Sequence, residues 1–180
     1  MKYQDIHREI VENCKNGNRE AQFELYRLYS RAMYNICLRM LRNEMDAEDL
    51  LQNSFVDIYS KLHTFRYQSS IGAWIKRIVI NNCINFIKKR KLKLTSLEDQ
   101  HDDRWDEEET NDVPLDITQI KNAIQQLPDG YRIVFSLYTM EGYDHKEIAE
   151  ILDVSEATSK SQYSRAKKKL RDMLRSQVQV

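Results

Sequence analysis

Glycine and proline are scarce in this chain, at four and two of 180 residues. With so few turn-formers, and no convincing alternation of apolar and polar residues, an all-α fold is predicted over a strand-rich one. Cysteine is sparse too. Cys14, Cys37 and Cys83 are odd in number and far apart, which argues against a disulfide framework or a zinc site and for core thiols in a reducing compartment. No apolar run is long enough to span a bilayer, and the opening MKYQDIHREI is polar rather than signal-like. A soluble, cytoplasmic protein without direct membrane insertion is therefore expected. Net charge is also missing: 28 Lys and Arg balance 28 Asp and Glu, which removes any argument from overall basicity to nucleic acid.

The charge that is present is segregated. Residues 61–95 hold nine Lys or Arg and no acid, residues 98–116 hold ten acids against Arg104 alone, and residues 156–175 hold seven basic and two acidic side chains. Two basic blocks separated by an acidic one point to two polyanion-binding surfaces. The acidic block has little hydrophobic periodicity and reads as a flexible linker. Each flanking part is under 100 residues, so each core is small.

Helix-period patterns fill the rest. Phe23, Tyr26, Ala32, Met33, Ile36, Cys37 and Met40 mark a helix over 18–41. RNEM makes a turn, Asp46 is placed to cap the next helix, and that helix runs to about Leu62 with Leu51, Phe55, Ile58 and Leu62 as its buried stripe. On its far side Asp49, Gln52 and Val56 lie together, an aliphatic residue among polar ones. This is either a surface with a stray valine or a protein-docking face. A third long helix runs from about Ile71 to Lys91. Ile71, Ile75, Ile78, Val79, Asn82 and Phe86 form its core side, with Asn82 read as a hydrogen-bonded buried amide. Trp74, Arg77, Asn81 and Lys88 form the other side. Cations that neutralise phosphate, a ring that stacks on a base and an amide that reads a base edge suit single-stranded nucleic acid; an ordinary surface with Trp74 half-buried is the bland alternative.

After the acidic block, Ile117, Ile120, Ile124 and Leu127 resume the helical pattern, which breaks at Pro128-Asp129-Gly130. DHKEIAEILDVS then supplies a short helix and a tight turn ahead of SEATSKSQYSRAKKKLRDMLR. At about 100° per residue, Lys160, Ser161, Ser164, Arg165 and Lys168 share one arc of that last helix. Ser159, Tyr163, Ala166 and Leu170 fall opposite, where they would pack on a core. Two helices joined by a few residues, the second with a small-polar and basic face, form a helix-turn-helix suited to a major groove.

DAEDLLQNSF (46–55), TFRYQSSIGAWIKRIVINNCINFIKKRK (64–91), LP..YR.VFSLY and the helix-turn-helix, in that order, resemble bacterial RNA polymerase sigma factors of the extracytoplasmic function group. The resemblance covers about residues 18 to 175. It implies two helical domains, region 2 over 1–95 and region 4 over 115–180, joined by an acidic linker over 96–114. It implies core RNA polymerase and promoter DNA as partners, and an anti-sigma factor, often membrane-bound. By the same resemblance Asp49 and Gln52, with Val56 beside them, match the surface that docks on the polymerase. The 71–91 helix, with Asn81 at a base-contacting position, reads the −10 element. The helix from Thr158 reads the −35 element. The linker is implied to thread a basic polymerase channel near the path of the RNA. Ser159 and Gln162 depart from the commoner Thr-Val-Arg/Lys-Ser-Arg pattern, and the Thr-Ser-Lys-Ser form looks like the Bacteroidota variant. Asp153 stands where many helix-turn-helix units place Gly, so the turn need not use the usual left-handed residue.

Two other readings stand beside this one. A helix-turn-helix regulator that is not a sigma subunit explains the C-terminal half but gives the Trp74, Arg77 and Asn81 face no purpose. A metal-dependent nuclease built on DDRWDEEETND lacks the packed shell that fixes catalytic carboxylates, and His7, His63, His101 and His145 show no ligand spacing. No enzyme activity, metal or cofactor is expected.

Overall fold

The structure, a computed structural model, describes the backbone of residues 7–94 and 117–178 and the side chains of 7–90 and 117–175. The acidic linker lies outside the described residues. Among those described, every regular element is helical. The chain divides into two compact units, residues 1–87 and 88–180, each of which is taken by itself.

The first unit contains α1 (Arg8–Lys15), α2 (Arg19–Leu41), α3 (Glu44–Lys61) and α4 (Ile71–Leu94) up to residue 87, with a 3-10 turn at Leu62–Thr64. Helix α1 is absent from the sequence reading: eight residues, with Val11 and Cys14 as its buried contacts, give too little periodicity to see. Helix α2 begins at Asn18, whose side chain accepts from the Ala21 N–H at 3.0 Å, and ends at Arg42 in the left-handed region. Asn43, not Asp46, caps α3, its Oδ1 accepting from the Asp46 N–H at 2.9 Å. The cap falls at Asn43 because α2 already stops at Leu41; Asp46 then sits in the first turn, where its charge complements the helix dipole.

The predicted stripe Leu51, Phe55, Ile58 and Leu62 is buried. The wheel of α4 is turned slightly from expectation. Ile71, Ile75, Val79, Ile80, Cys83 and Ile84 are buried, while Ile78, Phe86 and Asn82, expected as a buried amide, are half-buried. Each fully buried Leu, Ile or Phe of this kind contributes about 1.5–3 kcal/mol, and the Tyr26 and Phe55 rings pack edge to face with centroids 4.7 Å apart.

The second unit contains α5 (Ile117–Gln126), α6 (Asp129–Phe135), a π-helical turn at Ser136–Met140, α7 (His145–Leu152) and α8 (Glu156–Val178). Its core joins Ala123, Ile124 and Leu127 to Ala166 and Leu170 of α8. The break after Leu127 is held by Arg132, a buried guanidinium that donates to Leu127 O at 3.0 Å and to Asp129 Oδ1 at 2.8 Å.

Candidate nucleic-acid and docking interfaces

The face of α4 is set by what lies beneath it. Asn82 Nδ2 donates to Ser54 Oγ at 3.1 Å and to Asp57 Oδ2 at 2.9 Å on α3, as the reading of Asn82 as a bonded amide required. That pair fixes the rotation of α4 about its own axis and turns Arg77, Asn81 and Lys88 outward, all three exposed. Trp74 is half-buried, its ring centroid 5.4 Å from that of Phe65. One side of the indole therefore rests on protein. Asn85 is exposed four residues after Asn81, on the same stripe; the sequence reading missed it, although the spacing 77, 81, 85, 88 was there to find.

On α3, Asp49, Gln52 and Val56 are all exposed, Val56 at 67%. Met45 stands four residues before Asp49 and is 75% exposed. The apolar ends of this stripe, Met45 and Val56, bracket its polar middle, a pattern suited to docking on protein. Met45 was overlooked because it was assigned to the turn.

The helix-turn-helix is built from both ends. Asp144 and Glu147 form a capping box at the start of α7: Asp144 Oδ1 accepts from the Glu147 N–H and Glu147 Oε2 from the Asp144 N–H, both at 2.8 Å. Helix α7 ends at Asp153, with φ 59° and ψ 52°. The left-handed residue is present, and aspartate fills it, as one of the few non-glycine residues that visit the region readily. Ser155 Oγ accepts from the Thr158 N–H at 3.0 Å and opens α8.

On α8 the two faces separate as read. Ser159 and Ala166 are fully buried, Leu170 nearly so, and Tyr163 half-buried. Lys160 and Lys168 are exposed; Thr158, Ser161, Ser164 and Arg165 are intermediate. Thr158 and Ser161 are partly engaged, Thr158 Oγ1 lying 2.8 Å from Ser155 Oγ and Ser161 Oγ donating to Thr158 O at 2.9 Å. Lys160 Nζ sits 2.7 Å from Glu156 Oε1, and its hydrogen bond holds the Glu156 carboxyl below the usual carboxylate value. This exposed, screened pair contributes little to stability.

The cysteines are core thiols. Burial pushes Cys14 up to about 11, and contact with the Cys37 thiol, together with burial, raises Cys83. Neither Cys14 nor Cys83 is poised as a thiolate nucleophile. Among the described residues no group of three or more His, Cys, Asp and Glu is arranged to hold a metal ion, and no helix is long and apolar enough to cross a membrane.

Comparison with known proteins matches residues 25–93 to the family described as Sigma-70 region 2 and residues 117–170 to that described as Sigma-70, region 4. An ECF RNA polymerase sigma factor, SigM of Mycobacterium tuberculosis, is 30% identical over 161 residues, covering 88% of this chain and 79% of its own. SigM of Bacillus subtilis is 29% identical over 152 residues, 82% of this chain and 91% of its own. Among solved structures, the sigma factor RpoE in complex with the anti-sigma factor NepR from Bartonella quintana aligns with a TM-score of 0.58 at 22% identity, over 84% of this chain and 95% of that one. CnrH in complex with the cytosolic domain of CnrY gives 0.58 at 21%, over 96% and 99%. These two likenesses concern the fold.

Proposed function

Because this chain belongs to the ECF RNA polymerase sigma factors, we propose that three of its outward faces divide the work of initiation. As an alternative sigma factor it binds core RNA polymerase and directs promoter-specific transcription. Region 2 spans 1–95, a linker 96–114 and region 4 115–180. Asp49, Gln52 and Val56 of α3 dock on the polymerase, and Met45 extends that stripe. Trp74, Arg77, Asn81 and Lys88 of α4 take the −10 element as a single strand: Arg77 and Lys88 neutralise phosphate, Trp74 stacks, and Asn81 reads an unpaired base edge. Thr158, Lys160, Ser161, Ser164, Arg165 and Lys168 of α8 take the −35 element in the major groove, with Arg165 and Lys160 the longest reach to bases. The acidic linker occupies the basic RNA path of the polymerase, matching its charge.

The observation that carries this reading is the outward stripe of α4, held by the Asn82 bonds to Ser54 and Asp57. A helix-turn-helix regulator with no polymerase partner leaves both that stripe and the region 2 match without a use. The Ser159 and Gln162 departures support the Bacteroidota-like variant of the family. By extension from its neighbours we assign an anti-sigma partner, commonly membrane-bound, and a cytoplasmic site of action; no catalytic step is assigned. Run-off transcription from genomic fragments with purified core polymerase tests the whole. Discrete start sites that need this chain are expected; transcripts unchanged by its addition would refute the reading.

A further inference from the structure

Helix α1 lies outside the residues matched to region 2, yet Arg8, Glu12 and Lys15 on its polar side are all engaged. Val11 and Cys14 anchor it to the core, which leaves Arg8, Glu12 and Lys15 on the side of the segment between α3 and α4. There the Tyr67 hydroxyl donates to Glu12 Oε1. Lys15 Nζ donates to the same Glu12 oxygen at 3.0 Å and to the Phe65 carbonyl at 3.2 Å. Both cations cover the Tyr67 ring, Arg8 Cζ at 4.8 Å and Lys15 Nζ at 4.7 Å from its centroid.

The backbone at Tyr67 has φ 56°. A bulky residue in the left-handed region persists only where its surroundings over-determine it, and α1 supplies those surroundings. From Tyr67 the ring contacts continue inward: Phe65 stands 4.8 Å from Tyr67 and 5.4 Å from Trp74, centroid to centroid. Phe65 is 4% exposed, a fixed base for the indole. A continuous chain of contacts thus runs from Glu12 and Lys15 through Tyr67 and Phe65 to Trp74.

We propose that Glu12 and Lys15 are positioning residues for Trp74: they hold the 65–67 segment in the conformation that presents the indole for stacking on an unpaired promoter base. The inference rests on the reading of α4 as the single-strand surface. A helix that merely filled space would need only Val11 and Cys14; directional bonds to a strained residue serve geometry.

The test uses the full chain in two measurements. The first is run-off transcription by the holoenzyme from a promoter the wild type uses, pre-melted across its −10 region. Glu12→Ala and Tyr67→Phe should each lower initiation about three- to tenfold, short of the full loss of a base–ring stack. Glu12→Gln, which keeps an acceptor for the Tyr67 hydroxyl, should restore most of it. The second is iodide quenching of Trp74 fluorescence in the free chain, with Trp105→Phe as background so that one indole reports. Both damaging variants should change the quenching. If Glu12→Ala fails to fold, Tyr67→Phe, which removes one hydroxyl, carries the test. Wild-type transcription and quenching in Tyr67→Phe and Glu12→Ala, alongside a defective Trp74→Ala, would overturn this inference alone. A normal Trp74→Ala would overturn the −10 role of Trp74 and the inference with it.

Discussion

Ser159, fully buried on α8, has its hydroxyl 3.0 Å from Nδ1 of His145, the first residue of α7. The bond ties the start of α7 to the first turn of α8. It sits among rings, His145 stacked on Tyr138 with centroids 4.5 Å apart and edge-on to Tyr163 at 5.6 Å. The residue that departs from the commoner family pattern is thus a scaffold residue, buried opposite the exposed Lys160 and Lys168. Gln162 also leans inward, close enough that a Cβ on Gly130 would stand 3.1 Å from its Oε1. Ser159 is buried and Gln162 half-buried, so neither departure is exposed.

Ser159→Ala should therefore destabilise the second unit by about 1 kcal/mol, the usual net value of one internal hydrogen bond. Denaturant unfolding followed by circular dichroism measures it, and Ser159→Thr should recover part of the loss if the site accepts the extra methyl.

Most of the architecture was legible in the sequence because its helices are long and its buried stripes regular. The opposition of Ser159, Tyr163, Ala166 and Leu170 to Lys160, Arg165 and Lys168 follows from 3.6-residue periodicity alone. What periodicity could not show was set by contacts distant in sequence. Helix α1 is too short to declare itself, and the rotation of α4 that buries Ile80 and Ile84 while half-exposing Ile78 and Phe86 is decided by the Asn82 bonds to α3. The left-handed Asp153 was missed because Asp there is less diagnostic than Gly. Asn85 and Met45 were missed for a different reason: each extends a stripe already found by one more helical step.

Two adjacent asparagines should separate cleanly. Asn82→Ala strands Ser54 Oγ, whose residue is fully buried, and should cost about 1–3 kcal/mol of stability. Asn81 is exposed, so Asn81→Ala should stay within about 0.5 kcal/mol of wild type. Unfolding curves of the two variants decide; equal losses would mean that α4 is rotated from the orientation described.

Glu12 gives a pH signature. The Tyr67 hydroxyl, then Lys15, hydrogen-bond its carboxylate and hold it below the ordinary 4.5. A depressed folded value means that the unfolded chain takes up the proton more readily, so the bonds stabilise above 4.5 and their contribution fades as pH falls through the folded value. Glu12 is exposed, so the effect is small. Wild type should exceed Glu12→Ala in stability at pH 6, and the gap should narrow steadily below pH 4.5.

The docking stripe makes a binding prediction. Substituting Asp49 and Gln52 together by Ala should weaken affinity for core polymerase at least tenfold, about 1.4 kcal/mol, with helical content intact since both side chains are exposed. Met45→Asp, which puts a charge at the apolar end of the stripe, should weaken it further. Unchanged affinity in the double variant would remove the assignment of this face.

The two DNA surfaces should fail at different steps. A bidentate contact to a base edge discriminates by about 1–3 kcal/mol, whereas a phosphate contact is blind to sequence. On the proposed reading Arg165, half-buried on α8, contacts duplex, so Arg165→Ala should impair recruitment most on templates whose −35 element is intact. Asn81 is an exposed amide two helical turns beyond Trp74 on α4; an amide and a ring tell unpaired bases apart better than paired ones, so on the proposed reading Asn81 should act after the strands separate. Transcription is compared on a matched duplex and on a template pre-melted across −10 with its non-template bases retained. Pre-melting rescues a defect in opening but not one in reading the exposed bases. The Asn81→Ala loss should therefore persist on the pre-melted template and vanish when those bases are replaced by abasic sites. Arg165→Ala should remain defective on both wherever −35 is present, because its contact precedes melting. If Asn81→Ala matches wild type on every template while Arg165→Ala is impaired, the role of α8 stands and base reading in region 2 passes to Trp74 or Arg77.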